Sequence, residues 1–378
     1  MKTVLDLIPE RVRRLAPYVP GKAIRQARQE SGVAMIKLAS NENPYGPSPM
    51  AMEAIRAAAS EVNLYPDNEA GTLRRALAEH HHLAQENIFI ADGSLGILDV
   101  LARTLLGPGL NAVSSERSFI SYPIVTRAAA AEYVTVPVRQ HTYDLDAIAA
   151  AIAVNDSTRV VFLANPNNPT GTMFDADAAD AFLRRVPEHV LVVLDEAYND
   201  FALYFAGLRG ITYTRSLDHV RRGRLNLLVL RTFSKAHGLA GLRIGYACGH
   251  PELLEYLARI RNAFSVSVIA EAAALAAMRD EGHIRRTVES NAAGAARLAE
   301  QLGEMGIRTV PTSANFLYFE LDEDADTFAK RMQAEGVIVR SLVPWGIPNG
   351  IRVSIGTPEQ NEAFVRAFKK VGRQAVAP

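Results

Sequence analysis

Four short apolar runs each lead into residues that can do chemistry. Residues 88–91 are followed by Asp92-Gly93-Ser94-Leu95-Gly96, and 160–164 by Asn165-Pro166-Asn167-Asn168-Pro169-Thr170-Gly171. Residues 191–194 run into Asp195-Glu196-Ala197-Tyr198, and 227–230 into Arg231-Thr232-Phe233-Ser234-Lys235. A glycine–serine turn, an amide, a carboxylate and an amine thus follow four strand-like runs. Ligands of open α/β sheets bind beyond the carboxyl ends of the strands, so these groups are expected at one crevice.

Together they meet the needs of pyridoxal 5′-phosphate. That cofactor takes a covalent lysine and an acid facing its pyridine nitrogen. It also takes donors to its ring oxygen and a phosphate site at a helix N-terminus, with hydroxyls and an arginine. Gly93-Ser94-Leu95 opens the helical stretch 97–105, whose first N–H groups suit a phosphate. Thr232, Ser234 and Arg243 lie close to Lys235 in the chain and complete the cup. Singly, each residue has a plainer reading. Asp195 is then a helix cap, Lys235 a solvated loop lysine, Asn168 a turn former and Arg243 half of a surface ion pair. Their consistent placement after successive runs favours the cofactor.

The elements that must position them are legible as hydrophobic periodicity. Runs at 88–91, 111–114, 133–137, 160–164, 190–194 and 227–230 alternate with helical stretches such as 48–60 and 71–82. This predicts buried parallel strands in a doubly wound α/β domain. Beyond about residue 255 come Ala-rich helical patterns at 253–261, 270–278 and 291–304, then strand-like 316–320, 337–339 and 351–355. That texture predicts a smaller α+β domain. Near the start, Pro44, Gly46, Pro47 and Pro49 forbid helix or central strand, which predicts a fixed loop of the kind that lines sites. The expected organisation is an N-terminal arm at 1–45 joining the small domain and the site, a large cofactor-binding domain at 46–255 and a small C-terminal domain at 256–378.

Composition removes other classes. The 378 residues carry 41 Lys plus Arg against 41 Asp plus Glu, which argues against a nucleic-acid partner held by bulk charge. At 48% hydrophobic and 22% charged residues, wholesale disorder is excluded. Cys248 is the single cysteine, so neither an intrachain disulfide nor a cysteine-based metal centre can form. His80, His81 and His82 are consecutive and point in different directions on a helix, so no metal is expected there. No apolar run reaches the roughly 18 residues of a membrane span. The N-terminus, Met1 to Leu15, has neither a secretory nor a transit pattern, so a cytoplasmic location is expected.

Segments 165–171 and 195–198, with Ser234-Lys235 and Leu239-Ala240-Gly241-Leu242-Arg243, resemble class II aminotransferases of fold-type I. Five outer motifs resemble the histidinol-phosphate aminotransferase family more narrowly. They are Pro17-Tyr18-Val19-Pro20-Gly21, residues 37–44, Tyr65-Pro66-Asp67, Val337-Ile338-Val339-Arg340 and residues 348–357. The resemblance spans about 10–370. It implies a fold-type I pyridoxal-phosphate transferase with a mostly parallel doubly wound sheet in the large domain. It also implies transfer of an amino group from L-histidinol phosphate to 2-oxoglutarate.

By that resemblance Lys235 binds the cofactor and shuttles a proton, and Asp195 keeps the pyridine nitrogen protonated. Asn168 and Tyr198 donate to the ring oxygen, and Phe119 stacks on the ring. Gly93, Ser94, Leu95, Thr232, Ser234 and Arg243 hold the phosphate. Tyr65 matches a tyrosine that reaches the neighbouring subunit's cofactor, which implies a homodimer with shared sites. Arg352 and Arg340 match the anion-binding arginines, and Tyr18 and Asn43 match loop residues near the substrate. The chain departs from the family pattern at Leu64, Leu95, His237, Ser341 and the loop Val343-Pro344-Trp345-Gly346, which adjoins the substrate arginines. The substrate is therefore the open part of this reading. The alternatives are an aromatic or specialised-metabolism amino donor, or a decarboxylase of a phosphate-bearing substrate. Two readings outside this class are a cofactor-sensing binding module and a hydrolase using Ser94.

Overall fold

The structure is a computed structural model that describes residues 3–13, 15 and 35–374. Tyr18 and the motif around it lie outside the described residues. The first strands are β1 (Ile36–Lys37), β2 (Ile88–Ala91), β3 (Asn111–Ser115), β4 (Glu132–Val136), β5 (Thr158–Ala164), β6 (Leu191–Asp195), β7 (Leu227–Thr232) and β8 (Gly245–Gly249). From β2 onward they form one sheet in the order β2-β8-β7-β6-β5-β3-β4. The pairs among β3 to β7 are parallel, whereas β8 runs antiparallel to both β2 and β7.

Strand β8 is absent from the sequence reading, and glycine at both of its ends explains why. Residues 233–244 hold only the Lys235 loop and the short turn Ala240–Leu242, with no helix to carry the chain back across the sheet. The chain therefore returns antiparallel. The other six runs are strands, and their side chains alternate between two cores. Ile88, Ile90, Val161, Leu163, Val192 and Val229 face one. Phe89, Ala91, Val160, Phe162, Val193 and Leu228 face the other. Both faces of β2, β5, β6 and β7 are covered, so these runs are continuously apolar, whereas the edge strand β4 is partly exposed.

Helix starts follow local chemistry. The Ser48 hydroxyl accepts from the Ala51 N–H, and Pro49 opens the helix Pro49–Ala58. Asp144, Asp175 and Asp324 cap Leu145–Ala153, Ala176–Arg185 and Ala325–Ala334 in the same way. Each such cap contributes about 0.5–2 kcal/mol. Asp280 caps Glu281–Glu304, which starts ten residues before the pattern read from sequence (291 − 281). The helix Ser94–Leu105 differs, because Gly93 precedes it and no side chain caps it.

The remaining strands are β9 (Thr309–Val310), β10 (Phe316–Glu320), β11 (Val337–Ile338), β12 (Arg340–Ser341) and β13 (Gly350–Ser354). Four form an antiparallel sheet in the order β12-β13-β10-β9. The expected strand at 337–339 is divided. Its first part, β11, pairs in parallel with β1, so the segment before the proline loop is woven into this part of the molecule. Leu298, Phe316, Phe328, Val353 and Phe364 build a core joined by Leu38 and by Tyr198, Phe201 and Phe205 from the segment after β6. Helix Val268–Arg279 instead packs Ala270, Ala273, Ala274 and Ala277 onto the large sheet.

Candidate active site

A cavity of about 360 Å³ lies between the carboxyl ends of the parallel strands and β12–β13. Its lining includes Ser94, Leu95, Phe119, Asn168, Asp195, Tyr198, Thr232, Ser234, Lys235, Arg243, Arg340 and Arg352. All twelve are candidates from the sequence. Gly93 sits directly before Ser94. Asn43 does not line the cavity: its Nδ2 donates to the Ala236 carbonyl at 2.8 Å and to Thr287 at 3.3 Å, pinning the proline loop beside Lys235. Tyr65 also lies off the cavity, 83% exposed, with its ring 4.8 Å from that of Phe264.

Lys235 follows β7, and its Nζ approaches the carbonyls of Ser40 and Asn41 at 3.5 Å each. The ammonium also lies 5.5 Å from the Tyr198 ring centroid. Burial pushes this amine down to about 8, with Arg352 and Arg243 adding to the fall and Glu42 and Asp195 opposing it. A sizeable fraction is then neutral near pH 7 to 8, as a nucleophile or general base requires.

Asp195 ends β6 and is 5% exposed. Burial raises its carboxyl to about 6, while bonds from the Tyr122 hydroxyl and the Ala197 N–H, together with Lys235, favour the anion. The bonds measure 2.9 Å from Tyr122 and 3.2 Å from Ala197. Tyr122 is itself locked, its ring stacked on Phe162 at 4.7 Å. A carboxylate held this rigidly suits a cationic ring N–H, since the desolvation it suffers is relieved by an opposite charge.

Asn168 follows β5, and its Oδ1 accepts from Arg352 Nη1 at 2.5 Å. Arg352 Nη2 donates to the Ala39 carbonyl at 2.9 Å. Tyr198 Oη accepts from Asn41 Nδ2 at 2.9 Å, which fixes the phenol against the cavity. Phe119 meets Tyr122 edge to face, with centroids 5.5 Å apart.

At the far end, the uncapped N–H groups of Ser94–Leu105 meet a ring of donors. Thr232 Oγ1 lies 3.1 Å from Ser234 Oγ, and Arg243 Nη1 lies 3.4 Å from the same oxygen. Arg243 reaches this edge because β8 begins where β7 ends, with Thr232 and Gly245 as register partners. Arg243 has φ +53°, a conformation stored at functional positions rather than chosen by an arginine. Gly93 has φ +91°, and a Cβ there would lie 2.7 Å from Arg243 Nη2. Backbone N–H groups, two hydroxyls and a guanidinium around this close approach form an anion cup.

The donor set fits pyridoxal phosphate. A buried amine of lowered pKa, a buried carboxylate, an oriented amide and phenol, and an anion cup stand around one cavity. Sequence reading missed Tyr122, Ser40 and Asn41. Tyr122 carries no motif and reaches Asp195 only through the fold. Asn41 sits inside the motif 37–44, and its φ of +56° marks a position where asparagine is favoured over most residues.

The family described as aminotransferase class I and II matches residues 33–368. Histidinol-phosphate aminotransferase 2 of Pseudomonas aeruginosa is 45% identical over 374 residues, covering 98% of this chain and 99% of that protein. Histidinol-phosphate aminotransferase of Moorella thermoacetica is 43% identical over 363 residues, covering 96% and 92%. The crystal structure of the Sinorhizobium meliloti histidinol-phosphate aminotransferase in complex with pyridoxal-5′-phosphate superposes with a TM-score of 0.87. It is 29% identical, covering 97% of this chain and 98% of that one.

Proposed function

The chain belongs to the class I and II aminotransferases, and we propose that it transfers the amino group of L-histidinol phosphate to 2-oxoglutarate. The products are imidazole-acetol phosphate and L-glutamate, and the cofactor is pyridoxal phosphate. One observation carries the substrate reading. Two buried guanidiniums, Arg340 and Arg352, line the same cavity as the Lys235 amine. A dianion rewards two charge-assisted partners more than a single carboxylate does. The names of the relatives support the same substrate.

Pyridoxal phosphate supplies an electron sink that stabilises negative charge on the amine-bearing carbon. Lys235 Nζ would hold the cofactor, and once displaced by the substrate's amine it would be a free amine of lowered pKa, placed to take a proton from the substrate carbon and give it back. Asp195, oriented by Tyr122, would hold a proton on the pyridine nitrogen. Asn168 and Tyr198 would donate to the ring oxygen, and Phe119 would pack on the ring. Gly93, Ser94 and Leu95 through their backbone, with Thr232, Ser234 and Arg243, hold the phosphate. Arg340 and Arg352 bind the substrate's anionic end in both half-reactions, first a phosphate and then a carboxylate.

The reading includes a homodimer. Val62, Leu64 and Tyr65 are 62%, 60% and 83% exposed, and Phe264, in contact with Tyr65, is 45% exposed. A second copy would cover this apolar surface and receive Tyr65 at its cofactor. The reading keeps the division at 1–45, 46–255 and 256–378, although Leu257 and helix Val268–Arg279 pack on the large sheet and Leu38, Tyr198, Phe201 and Phe205 join the smaller core. Among the described residues no helix is long and apolar enough to cross a membrane. A cytoplasmic location belongs to the same reading.

The test is a single half-reaction followed by cofactor absorbance, with L-histidinol phosphate, L-glutamate and aromatic amino acids as donors. L-Histidinol phosphate should convert the cofactor with the highest kcat/KM. Failure of that donor alongside rapid conversion by L-phenylalanine or L-tyrosine would replace it with the second reading, an aromatic amino-acid aminotransferase. The aromatic lining of Phe119, Tyr198 and Trp345 favours that alternative.

A further inference from the structure

Arg340 and Arg352 are direct register partners on adjacent antiparallel strands, and both are buried, 8% and 5% exposed. Like charges directly opposite on a sheet repel. A third side chain stands over both of them. The Trp345 ring centroid lies 5.0 Å from the Arg340 guanidinium carbon and 5.9 Å from that of Arg352. At this distance each guanidinium is attracted to the face of the ring, the more so where water is excluded. The ring is presented by the turn Val343–Trp345, which Gly346 closes with φ +72°. Trp345 also lines the cavity, and its buried Nε1 has no acceptor among the described residues.

A buried indole N–H without an acceptor is unfavourable, and the cost is recovered when an acceptor arrives. The oxygen-rich group expected between the two arginines is such an acceptor. A phosphate monoester offers three terminal oxygens, enough for both guanidiniums and one further donor. A carboxylate offers two oxygens, which the guanidiniums already engage.

We propose that Trp345 is the specificity residue of the anion end. Its face holds Arg340 and Arg352 side by side, and its N–H becomes the third donor to a phosphate monoester once a ring rotation brings that buried nitrogen to the cavity. This rests on the reading that the two arginines receive the substrate anion. It goes further by naming what separates a phosphate donor from a carboxylate one.

Trp345 is the only tryptophan in the chain, so its emission reports the site directly. Titrating the wild-type holoenzyme with inorganic phosphate should change that emission saturably, while chloride at matched ionic strength should not. Trp345→Phe keeps a ring face and loses the N–H. It should raise KM for L-histidinol phosphate about tenfold, more than it lowers kcat, with a much smaller change for L-glutamate. Trp345→Leu loses the face as well and should raise KM for both donors. An emission indifferent to phosphate, or a Trp345→Phe variant with wild-type KM for L-histidinol phosphate, overturns the proposal. A wild-type enzyme that responds to phosphate by emission but does not turn over L-histidinol phosphate overturns the substrate reading and supports the anion site.

Discussion

Arg352 Nη1 donates to Asn168 Oδ1 across 2.5 Å, tying β13 of the small sheet to the loop that follows β5 of the large one. The bond fixes which way the asparagine amide faces. Its oxygen is turned to the arginine, so its NH₂ is the group left to address a ligand in the cavity. The same guanidinium lowers the pKa of Lys235. One side chain thus couples the anion end, the ring-oxygen donor and the amine.

Arg352→Ala is therefore expected to damage more than one function. KM should rise about 10- to 100-fold for both L-histidinol phosphate and 2-oxoglutarate, the size of a lost charge-assisted contact. Arg352→Lys should recover little of it, because an ammonium lacks the planar fork that spans Asn168 and Ala39. Steady-state kinetics on both substrates checks this, and an unchanged KM for both would remove Arg352 from the anion site.

Only the neutral amine of Lys235 can attack the cofactor aldehyde. In the cofactor-free protein the rate of pyridoxal phosphate capture should therefore climb with pH through a midpoint near 8, the value burial imposes. Arg352→Ala removes a cation that disfavours the ammonium, so the midpoint should move upward. Lys235→Ala should abolish the visible absorbance of the lysine-bound cofactor and nearly all turnover. Stopped-flow absorbance across pH 6 to 10 reads all three, and a midpoint unmoved in Arg352→Ala would break the coupling.

Asp195 carries its proton to higher pH folded than unfolded, since burial raises its carboxyl to about 6. Between the ordinary carboxylate range and 6 the folded state binds more protons, so the group's contribution to stability falls as pH rises. In cofactor-free protein, Asp195→Asn should match the wild type near pH 4. Above pH 6 it should exceed the wild type by about 3 kcal/mol, at roughly 1.4 kcal/mol per pKa unit. Urea denaturation at the two pH values tests the sign. In the holoenzyme the same change should cost most of the activity.

Tyr122 lowers the Asp195 pKa by donating to it. Tyr122→Phe should therefore shift the acid limb of kcat/KM to higher pH by about half to one unit, a hydrogen bond's worth. An acid limb that stays in place would show that another group sets it.

Gly93→Ala combines a Cβ 2.7 Å from Arg243 Nη2 with a φ of +91°. The strain is of order 1–3 kcal/mol, and it falls on the phosphate cup. Retention of pyridoxal phosphate through dialysis should drop about tenfold or more. Wild-type retention would show that the loop can shift without opening the cup.

Much of this site is legible along the chain because the turns that carry it are local. Gly93-Ser94, Asn168, Asp195 and Lys235 each follow an apolar run within a few residues, and a parallel sheet gathers such ends at one edge. Strand β8 escapes the reading because its terminal glycines weaken the strand signal, yet its direction is what delivers Arg243 to that edge. Asn43 and Asn41 stand two residues apart in one motif. Only the fold gives Asn43 to the Lys235 loop and Asn41 to the Tyr198 hydroxyl.

From order of residues alone come the alternating strands and helices, the glycine–serine helix start at Ser94 and the chemistry waiting at the strand ends. These depend on hydrophobic period and turn geometry, which act over a few residues. The tertiary structure alone decided that Tyr122 would hold Asp195, that Arg340 and Arg352 would face one another under Trp345, and that Arg352 would reach Asn168, 184 positions away. The first two each form within one sheet and its packing and the third where the two sheets meet, and no local preference encodes any of these distances.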